Sequence, residues 1–182
     1  MSYSRCVIVA ILLFGIGFTL GLAFQASIPN IFAEDLGTLE QLTSILAPFT
    51  VVMAAVIFVK NTVALVISFI LSPIFCLAPI IALIVNGGLV AFVSSVVISE
   101  KSLGFLLAGL LPHGVFEIPA LIMGEAAALH FGTMATVALF KKEKRGLLVP
   151  SLKKNMRYLI LALALLIPAA IVETYITPLL LG

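Results

Sequence analysis

The sequence predicts an all-α fold: a polytopic transmembrane helix bundle of about five spans plus a broken, re-entrant half-helix. Three observations carry that expectation. Of 182 residues, 63% are hydrophobic, only 10% are charged and the mean hydropathy is +1.31, whereas a soluble domain has roughly a quarter of its residues charged. Apolar runs of about 20 residues, the length that crosses a bilayer core as a helix, recur between short polar breaks. The basic residues are also concentrated on one side of the resulting spans, as orientation in a membrane requires.

The chain reads as a single transmembrane domain, 1–182. The first span covers Cys6–Ala26. Arg5 precedes it, but the apolar run is too long for a signal peptide, and Phe24-Gln25-Ala26 is a poor cleavage site. Ser27–Thr43 is an acidic connection without lysine or arginine. The long apolar stretch that follows divides into spans Ser44–Leu71 and Ile74–Ile98, with Ser72-Pro73 at the turn. A third span in that stretch would put Lys60-Asn61 in a turn and raise the count to six. Glu100-Lys101-Ser102 makes the next polar break.

Leu103–Leu111 is too short to cross alone, and Pro112, His113 and Gly114 then read as a break extending to Glu117. Ile118–Phe140 and Tyr158–Leu181 supply the last two spans. Between them, 141–157 carries seven of the ten basic residues and is expected in the cytoplasm together with the N-terminus. The chain is therefore expected to be a multi-pass protein of the cell membrane.

Composition also excludes functions. No Gly-rich phosphate loop, Cys-x-x-Cys or His-Glu-x-x-His is present, and no basic patch interleaved with aromatics invites nucleic acid. Cys6 and Cys76 fall in apolar segments and read as buried small hydrophobes. No cofactor is evident, although the histidine and carboxylates leave room for a bound cation. The expected surroundings are membrane lipid and other membrane or cell-envelope proteins. Gly87-Gly88 and Ala126-Ala127-Ala128 allow close helix approach, either within the bundle or in a homo-oligomer.

Ionisable groups at membrane depth are expensive and mark sites. The candidates are His113, Gly114, Glu117, Pro119, Glu173, Asn61 and Asn86, with Glu125, His130 and Lys60 behind them. A half-helix ending at Pro112 would put His113 beside its free carbonyls and Glu117 at the N-terminus of the next helix, where the dipole favours a carboxylate. Broken helices of this kind build ion and substrate sites in transporters. Counting 1.5 Å per residue from Phe140 and from Arg157 brings His113, Glu117 and Glu173 to one height, in the outer part of the bilayer. Glu125 and His130, five positions apart, point to different faces of their helix.

Phe58-Val59-Lys60-Asn61, Asn86-Gly87, the block from Leu111 to Ala120 and Glu173-Thr174-Tyr175-Ile176-Thr177-Pro178 occur in an order that resembles the stage II sporulation protein M family. The resemblance covers about Ser44 to Pro178, and Pro-His-Gly-x-x-Glu-x-Pro-Ala is its most specific element. It implies a multi-span protein that helps to assemble and localise cell-wall-degrading enzymes, in a family with relatives in organisms that do not sporulate.

The expected function is thus a non-enzymatic membrane scaffold or assembly factor. The alternative is a transporter or channel-like protein with an ion or small-solute site formed by His113, Glu117 and Glu173 near the outer face. An intramembrane hydrolase ranks last, because the two histidines and scattered carboxylates make a poor catalytic ligand set by spacing.

Overall fold

The computed structural model describes residues 2–24 and 49–181; the acidic connection and the first residues of the predicted second span lie outside them. The described elements are α1 (Tyr3–Ala23), α2 (Val51–Leu71), α3 (Leu77–Glu100) and α4 (Leu103–Phe140). A 3₁₀ turn (Lys142–Leu147), α5 (Leu148–Ile171), a π turn (Val172–Ile176) and α6 (Thr177–Leu181) follow. Among these residues, five helical segments are long and apolar enough to cross a membrane, the last running through Lys142–Leu181. Ile8, Ile67, Val85, Val115 and Ile160 are all exposed on the outside. Such an apolar surface, which a soluble protein rarely shows, is what lipid requires.

Local chemistry sets the ends of the elements. Thr50 caps α2 by accepting from the Met53 amide (3.2 Å), and Ser102 caps α4 by accepting from the Phe105 amide (3.1 Å). Pro73 helps to stop α2, and the chain reverses through Phe75 and Cys76, both left-handed at φ 51° and 58°. Cys6 and Cys76 are free, buried thiols.

Packing follows residue size. Ala120, Ala127, Ala128 and Ala162 are fully buried in a core shared with Leu65, Phe69, Leu159 and Leu166. The α1–α3 contact is closer still. A Cβ on Gly17 would strike the Ile84 carbonyl, and one on Gly87 would strike the Phe14 carbonyl. The Asn86-Gly87-Gly88 glycines therefore serve packing inside the bundle.

Two expectations from the sequence are corrected. There is no half-helix and no break at 112–117: α4 is continuous over 38 residues, about 57 Å, with Pro112 and Pro119 inside it. Each proline removes only one amide, facing the Ala108 and Val115 carbonyls. A true break at this depth would free several backbone groups with no water to receive them. Gly114 is accordingly an ordinary buried helical residue. The second correction concerns 148–157, expected as loop but helical from Leu148. Pro150 lies in the first turn, where amides have no intrahelical partner in any case.

Tyr3 stacks on Tyr158 (centroids 3.7 Å) and donates to the Met123 carbonyl (3.1 Å), while the Cys76 thiol reaches the Leu129 carbonyl (3.7 Å). The N-terminus, the α2–α3 turn and Tyr158 therefore all lie level with the 123–133 stretch of α4. Among the described residues, only α4 and α5 continue beyond that level, as a two-helix hairpin carrying Lys141–Arg145 at its tip.

Candidate functional site

A polar cluster forms where α2, α4, the π turn and α6 meet. In a continuous α4, His113 and Glu117 are one turn apart on one face, which is what brings their side chains together. His113 Nε2 lies 3.9 Å from Glu117 Oε2. Glu117 Oε1 accepts from Asn61 Nδ2 at 2.9 Å, fixing the carboxylate from α2. On its other side, His113 Nδ1 meets the Thr177 hydroxyl at 3.4 Å.

Glu173 enters from the π turn, in which the Thr177 amide bonds the Val172 carbonyl, five residues back. Pro178, one residue further, has no amide to continue the ladder. Such a turn is a frequent device for re-aiming a side chain at a site. One ligand atom from each of His113, Glu117 and Glu173 falls within 4.8 Å of the others. Lys60 is within Coulombic range of Glu173.

Depth is read from α2. Asn61 is the eleventh of its 21 residues, about 15 Å from either end, so the cluster lies at mid-height of the apolar layer. The count from Phe140 put it nearer the outer face because it took Phe140 as a membrane boundary, whereas α4 overshoots that boundary in the hairpin.

Below the cluster is a cavity of about 60 Å³, bordered by Asn61, Asn86, Glu117, Glu125, Leu121 and Leu166 among others. It has room for a few waters, and its polar groups are the partners such waters need. Asn86 itself donates to the Ala82 carbonyl (2.7 Å). Glu125 is only 1% exposed and accepts from the Ser68 hydroxyl at 2.5 Å. Ser68→Ala is expected to destabilise the bundle by about 1–3 kcal/mol, by taking a partner from a buried carboxylate. An SDS-unfolding titration measures this, and an unchanged midpoint would mean that water replaces the hydroxyl.

His130 does not join the cluster. Its Nδ1 is held by Asn155 on α5 (2.9 and 3.0 Å to the two amide atoms), and Asn155 in turn bonds Ser151. Pro119 is exposed on α4 and takes no part. The structure therefore brings together His113, Glu117, Glu173, Asn61 and Lys60, places Asn86 and Glu125 on the adjoining cavity, and separates His130. Reading the sequence missed Thr177, Ser68 and Asn155. Thr177 stood within the quoted Glu173–Pro178 block, but nothing in a single chain marks Ser68, which meets its partner across 57 residues.

The family sequence model described as Stage II sporulation protein M matches residues 10–178. An uncharacterized protein of Methanocaldococcus jannaschii is 27% identical over 173 residues, covering 94% of this chain and 93% of its own. No solved structure matches the chain.

Proposed function

This chain belongs to the stage II sporulation protein M family, and on that premise we propose that it is an integral membrane protein that binds a divalent cation at mid-membrane and moves it across in exchange for protons. The observation that carries the reading is the convergence of His113, Glu117 and Glu173 within 4.8 Å, at mid-height of a span. Three nitrogen and oxygen ligands suit first-row divalent metals and leave a coordination position open. A tetrahedral site with bonds near 2.1 Å has edges of about 3.4 Å, and rotation of the side chains covers the difference.

The charges support the same reading. Lys60 and one proton held within the cluster offset Glu117 and Glu173; a divalent cation supplies the same two positive charges. Binding then displaces that proton.

The test is metal analysis and calorimetry on detergent-purified protein with Zn²⁺, Mn²⁺ and Fe²⁺, alongside His113→Ala/Glu117→Gln. Near-stoichiometric binding with proton release, lost in the double variant, is the expected result. No binding by wild type to any of the three overturns the reading.

A second reading, the non-enzymatic scaffold, draws on a different observation. The cluster's hydrogen bonds join α2, α4 and α6, so it clamps three helices. Loss of thermal stability in the double variant, with no metal bound by wild type, favours that role.

A further inference from the structure

We propose that the cavity between α4 and the 3₁₀ turn at the basic end of the bundle binds a phosphoryl group, presented by the headgroup of an anionic phospholipid. The cavity has a volume of about 210 Å³ and is bordered by His130, Thr133, Met134, Val137 and Lys144. It is separate from the cluster around His113 and shares no residue with it.

The site is built from the inside. Asn155 is fully buried, and its Nδ2 donates to the Ser151 carbonyl at 2.8 Å, which fixes the donor end of the amide. Both amide atoms of Asn155 lie against His130 Nδ1, Nδ2 at 2.9 Å and Oδ1 at 3.0 Å. Asn155 thus engages Nδ1 and leaves Nε2 as the ring nitrogen for a ligand. Lys144 supplies an ammonium on the opposite wall, the point charge that phosphate sites commonly use.

Charge and depth identify the source of the phosphate. Lys141, Lys142, Lys144, Arg145, Lys153, Lys154 and Arg157 make 141–157 the basic end of the bundle, and of these Lys144 borders the cavity. Among the described residues, none of them is in an ion pair. His130 lies at the level of the stacked Tyr3–Tyr158 pair (Tyr3 ring to His130, 6.4 Å), and tyrosines mark the interface where headgroups lie. Basic clusters just beyond a span attract anionic headgroups, each cation adding attraction within a Debye length. Met134 and Val137 give the cavity an apolar wall, which matches a glycerol backbone better than a free anion.

The test uses detergent-purified full-length protein titrated with phosphatidylglycerol, phosphatidylcholine or inorganic phosphate, read by thermal shift. Wild type, Lys144→Gln, His130→Gln and Lys153→Gln/Lys154→Gln are compared. Phosphatidylglycerol is expected to raise the melting temperature of wild type where phosphatidylcholine does not. Half-saturation should rise about tenfold in Lys144→Gln, the loss of one charge-assisted hydrogen bond, and in His130→Gln, while the Lys153/Lys154 variant stays close to wild type.

An equal shift with inorganic phosphate, lost in the same two variants, supports the site with the free anion as its source. Lys144 is exposed, so Lys144→Gln tests the site even if His130→Gln does not fold. The proposal is overturned if Lys144→Gln keeps the wild-type response, if the Lys153/Lys154 variant loses as much, or if neither phosphate source shifts wild type.

Discussion

Glu117→Leu is expected to abolish cation binding and to lower stability, whereas Glu117→Gln abolishes binding alone. The two outcomes separate because the Glu117 side chain has two tasks on two oxygens. Oε1 accepts from Asn61 Nδ2 at 2.9 Å and Oε2 faces His113 Nε2 at 3.9 Å. Leucine removes both. The Asn61 amide is then left without its acceptor at mid-height of α2, at a cost of about 1–3 kcal/mol for an orphaned polar group, and His113 loses its facing carboxylate.

Glutamine keeps a carbonyl oxygen for Asn61, so the bond between α2 and α4 survives, but the charge that a cation needs is gone. Glu173→Gln extends the argument to an independent element, because Glu173 comes from the π turn. It is expected to weaken binding at least as much while leaving the Asn61 bond untouched. Parallel SDS-unfolding and metal-binding measurements on the three variants check this. If Glu117→Gln binds metal as wild type does, the carboxylate is a structural acceptor only, and the clamp reading takes over.

The spans were legible because membrane burial writes itself into one dimension. A stretch such as Tyr3–Ala23 or Leu77–Glu100 must be apolar on all sides, since it faces lipid outside and neighbours inside, and simple length then finds it. The shared height of His113, Glu117 and Glu173 was legible for the same reason: a constant rise per residue turns position into depth. The break at Pro112 was misread because proline and glycine stop helices where water can receive the freed groups. In lipid, breaking the helix costs more than leaving one carbonyl bare. Continuity then changed the chemistry, by making His113 and Glu117 neighbours on one face rather than residues at two facing helix ends.

What a single chain did not reveal is tertiary or irregular. The π turn at Val172–Ile176 has no local signature beyond Pro178 nearby, yet Glu173 enters the cluster from it. Ser68 looks like any serine in a span until Glu125 is placed against it. Asn155 fell in a stretch read as polar loop, so its role in holding His130 was hidden by a misplaced helix start at Leu148.

Gly17→Leu and Gly87→Leu are each expected to prevent the bundle from assembling, while Gly15→Leu is expected to be tolerated. All three positions are glycines inside apolar helices, and hydropathy favours leucine at each, so composition alone predicts no penalty anywhere. Geometry predicts otherwise. At Gly17 and Gly87 even a Cβ would overlap backbone of the facing helix, the Ile84 and Phe14 carbonyls respectively. Backbone cannot rotate aside as a side-chain tip can, so α1 and α3 would have to separate along the whole contact.

Separation also uncovers Cys6, Ala10 and Leu83, which are buried together with Ala126 and Leu129 in the second core. The loss therefore exceeds the few kcal/mol of a single overpacked side chain. Gly15 lies two residues from Gly17 on the outward face, with nothing within 4 Å of an added Cβ, so leucine there meets only lipid. Expression level and monodispersity in detergent report the outcome. Tolerance of Gly17→Leu would mean that α1 docks on α3 less tightly than these contacts require, and equal damage at Gly15 would point to a partner on the face that here meets lipid.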